Sequence, residues 1–171
     1  MQPQLSLNKH ASISWTVDAK THDYAVAWWN ELVAVVWRHE TTLQGVRDLK
    51  SAVSALARRH PNGIAMLTIV SESAPMPSSA ARKAIAELLS ESSAIIRCSA
   101  VVMEGAGFRA AAVRSVVTGL TMLARHEFPH SICDVEAAAK MYSEVLPSFT
   151  GFALPPSTVR AAINELRDIL L

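Results

Sequence analysis

The chain has 171 residues, half of them apolar and 18% charged, with a formal net charge of +1. That length suits one domain with a sizeable core, and the composition excludes a disordered chain. No block of like charges supplies the basic stripe of a nucleic-acid-binding protein, so no nucleic-acid partner is expected.

The two cysteines, Cys98 and Cys133, lie inside apolar runs. A secreted disulfide scaffold uses more cysteines at closer spacing, so buried, reduced thiols are expected. The opening MQPQLSLNKHASISW lacks the apolar core of a signal peptide, and no run reaches the ~20 apolar residues of a membrane span. These features suggest a soluble, cytoplasmic protein.

In chain order, SISWTVD (12–18) alternates apolar and polar residues, which predicts a half-buried strand with Ile13, Trp15 and Val17 on one side. YAVAWW (24–29) and LVAVVWRH (32–39), separated by Asn30-Glu31, read as an antiparallel hairpin. All four tryptophans, Trp15, Trp28, Trp29 and Trp37, fall in this region and are expected to cover one sheet face. Thr41 and Gln44 fit a T-x-x-Q capping box opening a helix. Leu43, Val46, Leu49, Val53 and Leu56 make its apolar stripe, Arg58, Arg59 and His60 suit its C-terminal dipole, and Pro61-Asn62-Gly63 stops it.

IAMLTIV (64–70) is a continuous apolar run, as expected of a strand covered on both faces. A helix from 78 to 89 follows, with Ala84, Ile85, Leu88 and Leu89 sharing a face. IIRCSAVVM (95–103) predicts another buried strand, then come a helix over 108–126, a short strand at SICDV (131–135) and a helix over 135–146. The order is α-β-α-β-α-β-α behind an antiparallel opening. It implies an α/β fold with a mixed, mostly parallel sheet and helices packed on it. SFTGFALPP reads as a linker, over 148–156. An amphipathic helix over 157–171 follows, with Val159, Ile163, Leu166 and Leu170 on one face, packing on the domain or on a partner.

HEFPH (126–130) spells the H-E-x-x-H of zinc proteases. That chemistry needs both histidines one turn apart on a continuous helix. Pro129 has no N–H to donate and pushes Phe128 out of helical geometry, so the helix should stop near Glu127 and His130 should enter the next strand. The motif reads as a helix stop, and no metal is expected. GAGFRA (105–110) follows a predicted strand, opens a predicted helix and fits G-x-G-x-x-A at Gly105, Gly107 and Ala110. Arg109 and Arg114 add charge for a phosphate at the helix N-terminus. The counterpart of the fingerprint's acidic residue is Asp134, which reads as a helix N-cap. A glycine turn for close helix–sheet packing is the plainer reading; an anion held by Gly105, Gly107 and Arg109 is the alternative.

There is no G-x-S-x-G elbow, Walker loop or C-x-x-C, and no nucleophile, base and orienting group can be assembled from spacing. His10, His22, His39 and His60 sit near element ends or in loops. No catalytic residue and no cofactor is expected.

Taken together, SISWTVD, the strand pair to 39, the 41–60 helix, IAMLTIV, the helix after PSS, CSAVVMEGAGFRAAAV and CDVEAAAKMY resemble SpoIIAA-like proteins of the STAS fold superfamily. The resemblance covers about residues 12–147 and gives a domain over 1–147. It implies a non-enzymatic switch protein, as in the anti-sigma factor antagonists, which bind a kinase-like protein partner. Those proteins are phosphorylated on a serine where the helix after a central buried strand begins. Here that position resembles PMPSSAA, which implies Ser78 or Ser79. The antagonist motif has an aspartate before its serines and a glycine after them, where this chain has Pro77 and Ala80. Ser78 acting only as a helix cap is the plainer reading. Other relatives of this fold bind small apolar or nucleotide ligands, and Met76, Phe108, Trp28 and Trp29 are candidates to border such a pocket. A homodimer is compatible with the sequence.

Overall fold

A two-residue connection, Asn30-Glu31, sets the first hairpin. Asn30 takes the left-handed conformation (φ 47°), which asparagine tolerates better than most residues, and Trp29 then faces Leu32 across the ladder. The computed structural model describes residues 14–123, 128–151 and 153–169. The hairpin is made by β2 (Tyr24–Trp29) and β3 (Leu32–Trp37), with β1 (Thr16–Lys20) antiparallel to β2 at the sheet edge. From β3 onward each strand pairs in parallel with the next: β4 (Ile64–Val70), β5 (Ile96–Met103) and β6 (His130–Cys133). The result is a six-stranded mixed sheet in the order β1-β2-β3-β4-β5-β6. The α/β architecture expected from the sequence is the one observed.

Period-two alternation divides the strands between two cores. Val33, Val35, Met66, Val70 and Val101 face a core built with α1 (Leu43–Arg59), α2 (Ser79–Glu91) and α3 (Phe108–Leu123). Ala34, Ala65, Leu67, Cys98 and Ala100 face the opposite core, with α4 (Val135–Val145) and α6 (Pro156–Asp168). Alanines and a cysteine on this second face leave room for α4 and α6 to lie close to the sheet. There the hydroxyl of Tyr142 donates to the Met66 carbonyl (2.5 Å) and accepts from the Ala100 amide (3.1 Å), joining β4 and β5 through a helical side chain.

Several expectations need correction. The first strand runs later than expected, Val17 on it is 42% exposed, and Ile13 lies outside the described residues. Trp15 precedes the strand and donates its indole N–H to the Ala162 carbonyl of α6 (2.9 Å). The tryptophans do not share a face: Trp28 and Trp37 join the α1 side, Trp15 and Trp29 the α4–α6 side. Consecutive strand residues such as Trp28 and Trp29 must point oppositely.

The cap of α1 is Thr42, which accepts from the Gly45 amide (3.0 Å), while Thr41 is buried. With Gly45 rather than Gln44 in register with the cap, no reciprocal box forms, and Gln44 donates instead to Asp48 (2.8 Å). Leu43, expected in the stripe, is 44% exposed, while Val46, Leu49, Val53 and Leu56 are buried as expected. Part of the expected linker is a short helix, α5 (Pro147–Thr150), ended by Gly151 at φ 75°. The terminal helix packs back on the protein, with Val159, Ile163 and Leu166 buried against α4 and the sheet; Leu170 lies outside the described residues. Among the described residues no helix is long and apolar enough to cross a membrane.

Candidate functional site

The carboxyl ends of β3, β4 and β5 are tied together by short loops. The Ser71 amide donates to the Trp37 carbonyl (2.9 Å), the Glu104 amide to the Val70 carbonyl (2.9 Å), and the Ser73 hydroxyl to the Arg38 carbonyl (2.7 Å). Ala74 is buried and anchors the β4–α2 loop, whereas Met76 is 46% exposed. Pro77 then leads into α2.

Ser78 is the N-cap of that helix. Its backbone is extended (φ −60°, ψ 162°) and its hydroxyl accepts from the Ala81 amide (3.1 Å). Ser79 is the first helical residue, and both serines are exposed. Arg82, one turn into the helix, donates to the Pro77 carbonyl (3.4 Å), which places a guanidinium beside the free amides of the first turn.

The glycine turn lies directly across from this loop. Gly105 (φ 88°) and Gly107 (φ 90°) both adopt the left-handed conformation, and the Ala111 amide donates to the Gly107 carbonyl (3.1 Å) as α3 starts. A Cβ on Gly105 would come within 2.6 Å of the Glu72 side chain, so the turn also allows close approach to the β4–α2 loop. Glu72, Ser71 and Ala74 from one loop, with Glu104, Ala106 and Ala110 from the other, enclose a cleft of about 120 Å³. The glycine turn is therefore a neighbour of the first part of the β4–α2 loop, which their separation along the chain does not reveal; Ser78 and Ser79 do not line this cleft. Glu104 is ion-paired with Arg167 of α6, while Glu72 is exposed. The side chain of Arg109 lies outside the described residues.

Of HEFPH, His126 and Glu127 lie outside the described residues. The Pro129 carbonyl accepts from the Ser99 amide (2.9 Å), and His130 is the first residue of β6. His130 is thus on a strand, and the i, i+4 helical pairing a zinc protease needs is not formed. No group of three or more His, Cys, Asp or Glu among the described residues is placed to hold a metal ion. His22 and His39 stack with ring centres 4.2 Å apart, and His60 caps α1 while facing Glu31 at 3.2 Å.

A feature the sequence did not expose is an apolar cavity of about 60 Å³ between the sheet and the α1–α3 layer. Met66, Thr68, Val101 and His130 form its floor, Leu49, Ile85 and Leu88 two of its walls, and Val113 and Val117 of α3 its roof. Pro75, exposed, and Pro77, half-buried, form the solvent-side edge. Neither Met76 nor the Trp28–Trp29 pair lines it. Trp28 instead lies under the Arg59 guanidinium (5.0 Å) and donates to Asp18 (3.0 Å). The side chain of Phe108 lies outside the described residues. The lining residues come from seven helices and strands and two loops, and no local pattern links them.

Comparison with family models, with curated proteins and with solved structures finds no match for this chain.

Proposed function

We propose that the chain is a SpoIIAA-like regulatory module, without catalytic activity, that works through contact with a protein partner and is switched at Ser78 or Ser79. The observation that carries this reading is the exposed Ser-Ser pair opening α2, directly after the buried central strand β4 and its tethered loop. Phosphate at that place adds nearly two negative charges where the helix dipole and unpaired amides favour them. Arg82 lies in the same turn and is a natural ion-pair partner for it. Ser79 is the better acceptor of the two, because the Ser78 hydroxyl already serves as the cap. The sequential strand order with α1, α2 and α3 on one face supports the family reading.

The alternative use of this edge, an anion held by Gly105, Gly107 and Arg109, is less favoured. The cleft beside the turn is lined by the exposed carboxylate of Glu72, which repels an anion, while Glu104 is already held by Arg167. Mass spectrometry of the chain recovered from its native cells tests the proposal. A phosphate on the peptide spanning 71–82 is expected, and its absence under all growth conditions sampled would overturn the switch.

A further inference from the structure

The cavity beneath α3 goes beyond that reading and stands apart from it. We infer that it is a binding site for a small apolar molecule with a single hydrogen-bonding end, of the phenol class. Protein interiors seldom leave space larger than a water molecule, and this space, at about 60 Å³, exceeds what one water needs. It is too small for a nucleotide or an extended cofactor, and its solvent-side edge at Pro75 and Pro77 lets a ring extend outward.

Among the described side chains of α3 Val113 is buried, Ala112, Val116 and Val117 are half-buried, and Ala111, Arg114, Ser115 and Thr118 face solvent. A second, independent observation points to a ligand with a polar end. Ser99 is fully buried, and its hydroxyl has no hydrogen-bond partner among the described residues. In the sheet Ser99 lies between Met66 of β4 and His130 of β6, both of which line the cavity floor. Val101, two residues further along β5, also lines it, so strand alternation puts Ser99 on the same face of the sheet, next to the floor residues although not itself one of the lining residues. Buried hydroxyls are ordinarily paired, and an oxygen at the inner end of a ligand would pair this one. The rest of the lining offers a ring dispersion contacts with little competition from polar groups.

The test is a methyl and amide NMR titration of the full chain with phenol and, separately, with toluene, which has nearly the same shape and lacks the hydroxyl. Saturable shifts at Met66, Thr68, Ile85, Val101 and Val113 are expected with phenol. Ser99→Ala should weaken phenol by about fivefold to tenfold and leave toluene within about twofold. Val117→Phe, which fills the space from the roof, should remove the shifts. The wild-type titration and Ser99→Ala carry the test if that variant does not fold. Absence of saturable shifts at these residues, phenol binding unchanged in Ser99→Ala, or equal weakening of both probes would overturn the inference.

Discussion

Replacing Tyr142 with phenylalanine removes one oxygen from the centre of the α4–sheet interface and nothing else. That oxygen is fully buried, donates to the Met66 carbonyl (2.5 Å) and accepts from the Ala100 amide (3.1 Å). The ring of the variant keeps its place among Ala138, Leu67 and Ala100, so transfer and cavity terms are small. What changes is the pairing of two backbone groups on adjacent central strands. A buried polar group left unpaired costs about 1–3 kcal/mol. The strands can close partly over the gap, so the expected loss is about 2 kcal/mol for the pair, not the sum of two full penalties. For a chain of this size that is a fall in Tm of roughly 4–8 °C. Urea and thermal unfolding followed by circular dichroism measure it. Tyr24→Phe is the control: its hydroxyl donates to Asp48 (2.6 Å) near the surface, and its loss should cost about 1 kcal/mol or less. A Tyr142→Phe variant as stable as wild type would refute the bridging role assigned to this hydroxyl.

Gly45→Ala should destabilise the protein by about 1–3 kcal/mol despite the better helix propensity of alanine, because the new Cβ would lie 2.6 Å from the Trp37 ring and 2.9 Å from Tyr24. Denaturant unfolding, with tryptophan fluorescence as the probe, reads both the loss and the ring displacement. Burial pushes the Cys98 thiol from near 9 up to about 12 and, with the Asp48 hydrogen bond, the Tyr24 phenol from 10 to about 12. In both groups the folded state holds its proton above the pH at which the unfolded chain releases it. Stability is therefore flat below pH 9 and falls as pH rises from 9 toward 12, which urea midpoints across that range will show. In the folded protein a thiol reagent should modify Cys133, which is half-buried, well before Cys98, which reacts only on unfolding. Ser78→Ala should cost about 1 kcal/mol through the lost cap, and Ser78→Asp should restore most of it, as thermal unfolding will report.

Much of the fold was legible because local chemistry agreed with the tertiary arrangement. The apolar runs of β4 and β5, the Asp134 cap of α4 and the Asn30 turn each specify their element without distant help. Failures came where two local choices were nearly equal. Adjacent threonines at 41 and 42 both suit a cap, and packing of Gly45 on Trp37 selects the second. The tryptophans cluster in the sequence, but strand alternation separates Trp28 from Trp29 in space. The candidate site was half legible. Ser78 and the glycine turn could each be picked from local context, but the approach of the β4–α2 loop to that turn depends on β4 and β5 being adjacent in the sheet. The cavity was not legible at all, since its lining is gathered from residues as far apart in the chain as Trp37 and His130.

Control of a protein contact by the start of α2, as proposed above, is open to direct test. The most direct measurement is a quantitative pull-down from native cells of the wild-type chain beside a Ser78→Asp/Ser79→Asp variant of equal stability. A stoichiometric protein partner is expected on the wild type and at least about tenfold less of it on the variant, a difference of about 1.4 kcal/mol in binding. A partner held equally by both chains would contradict that control.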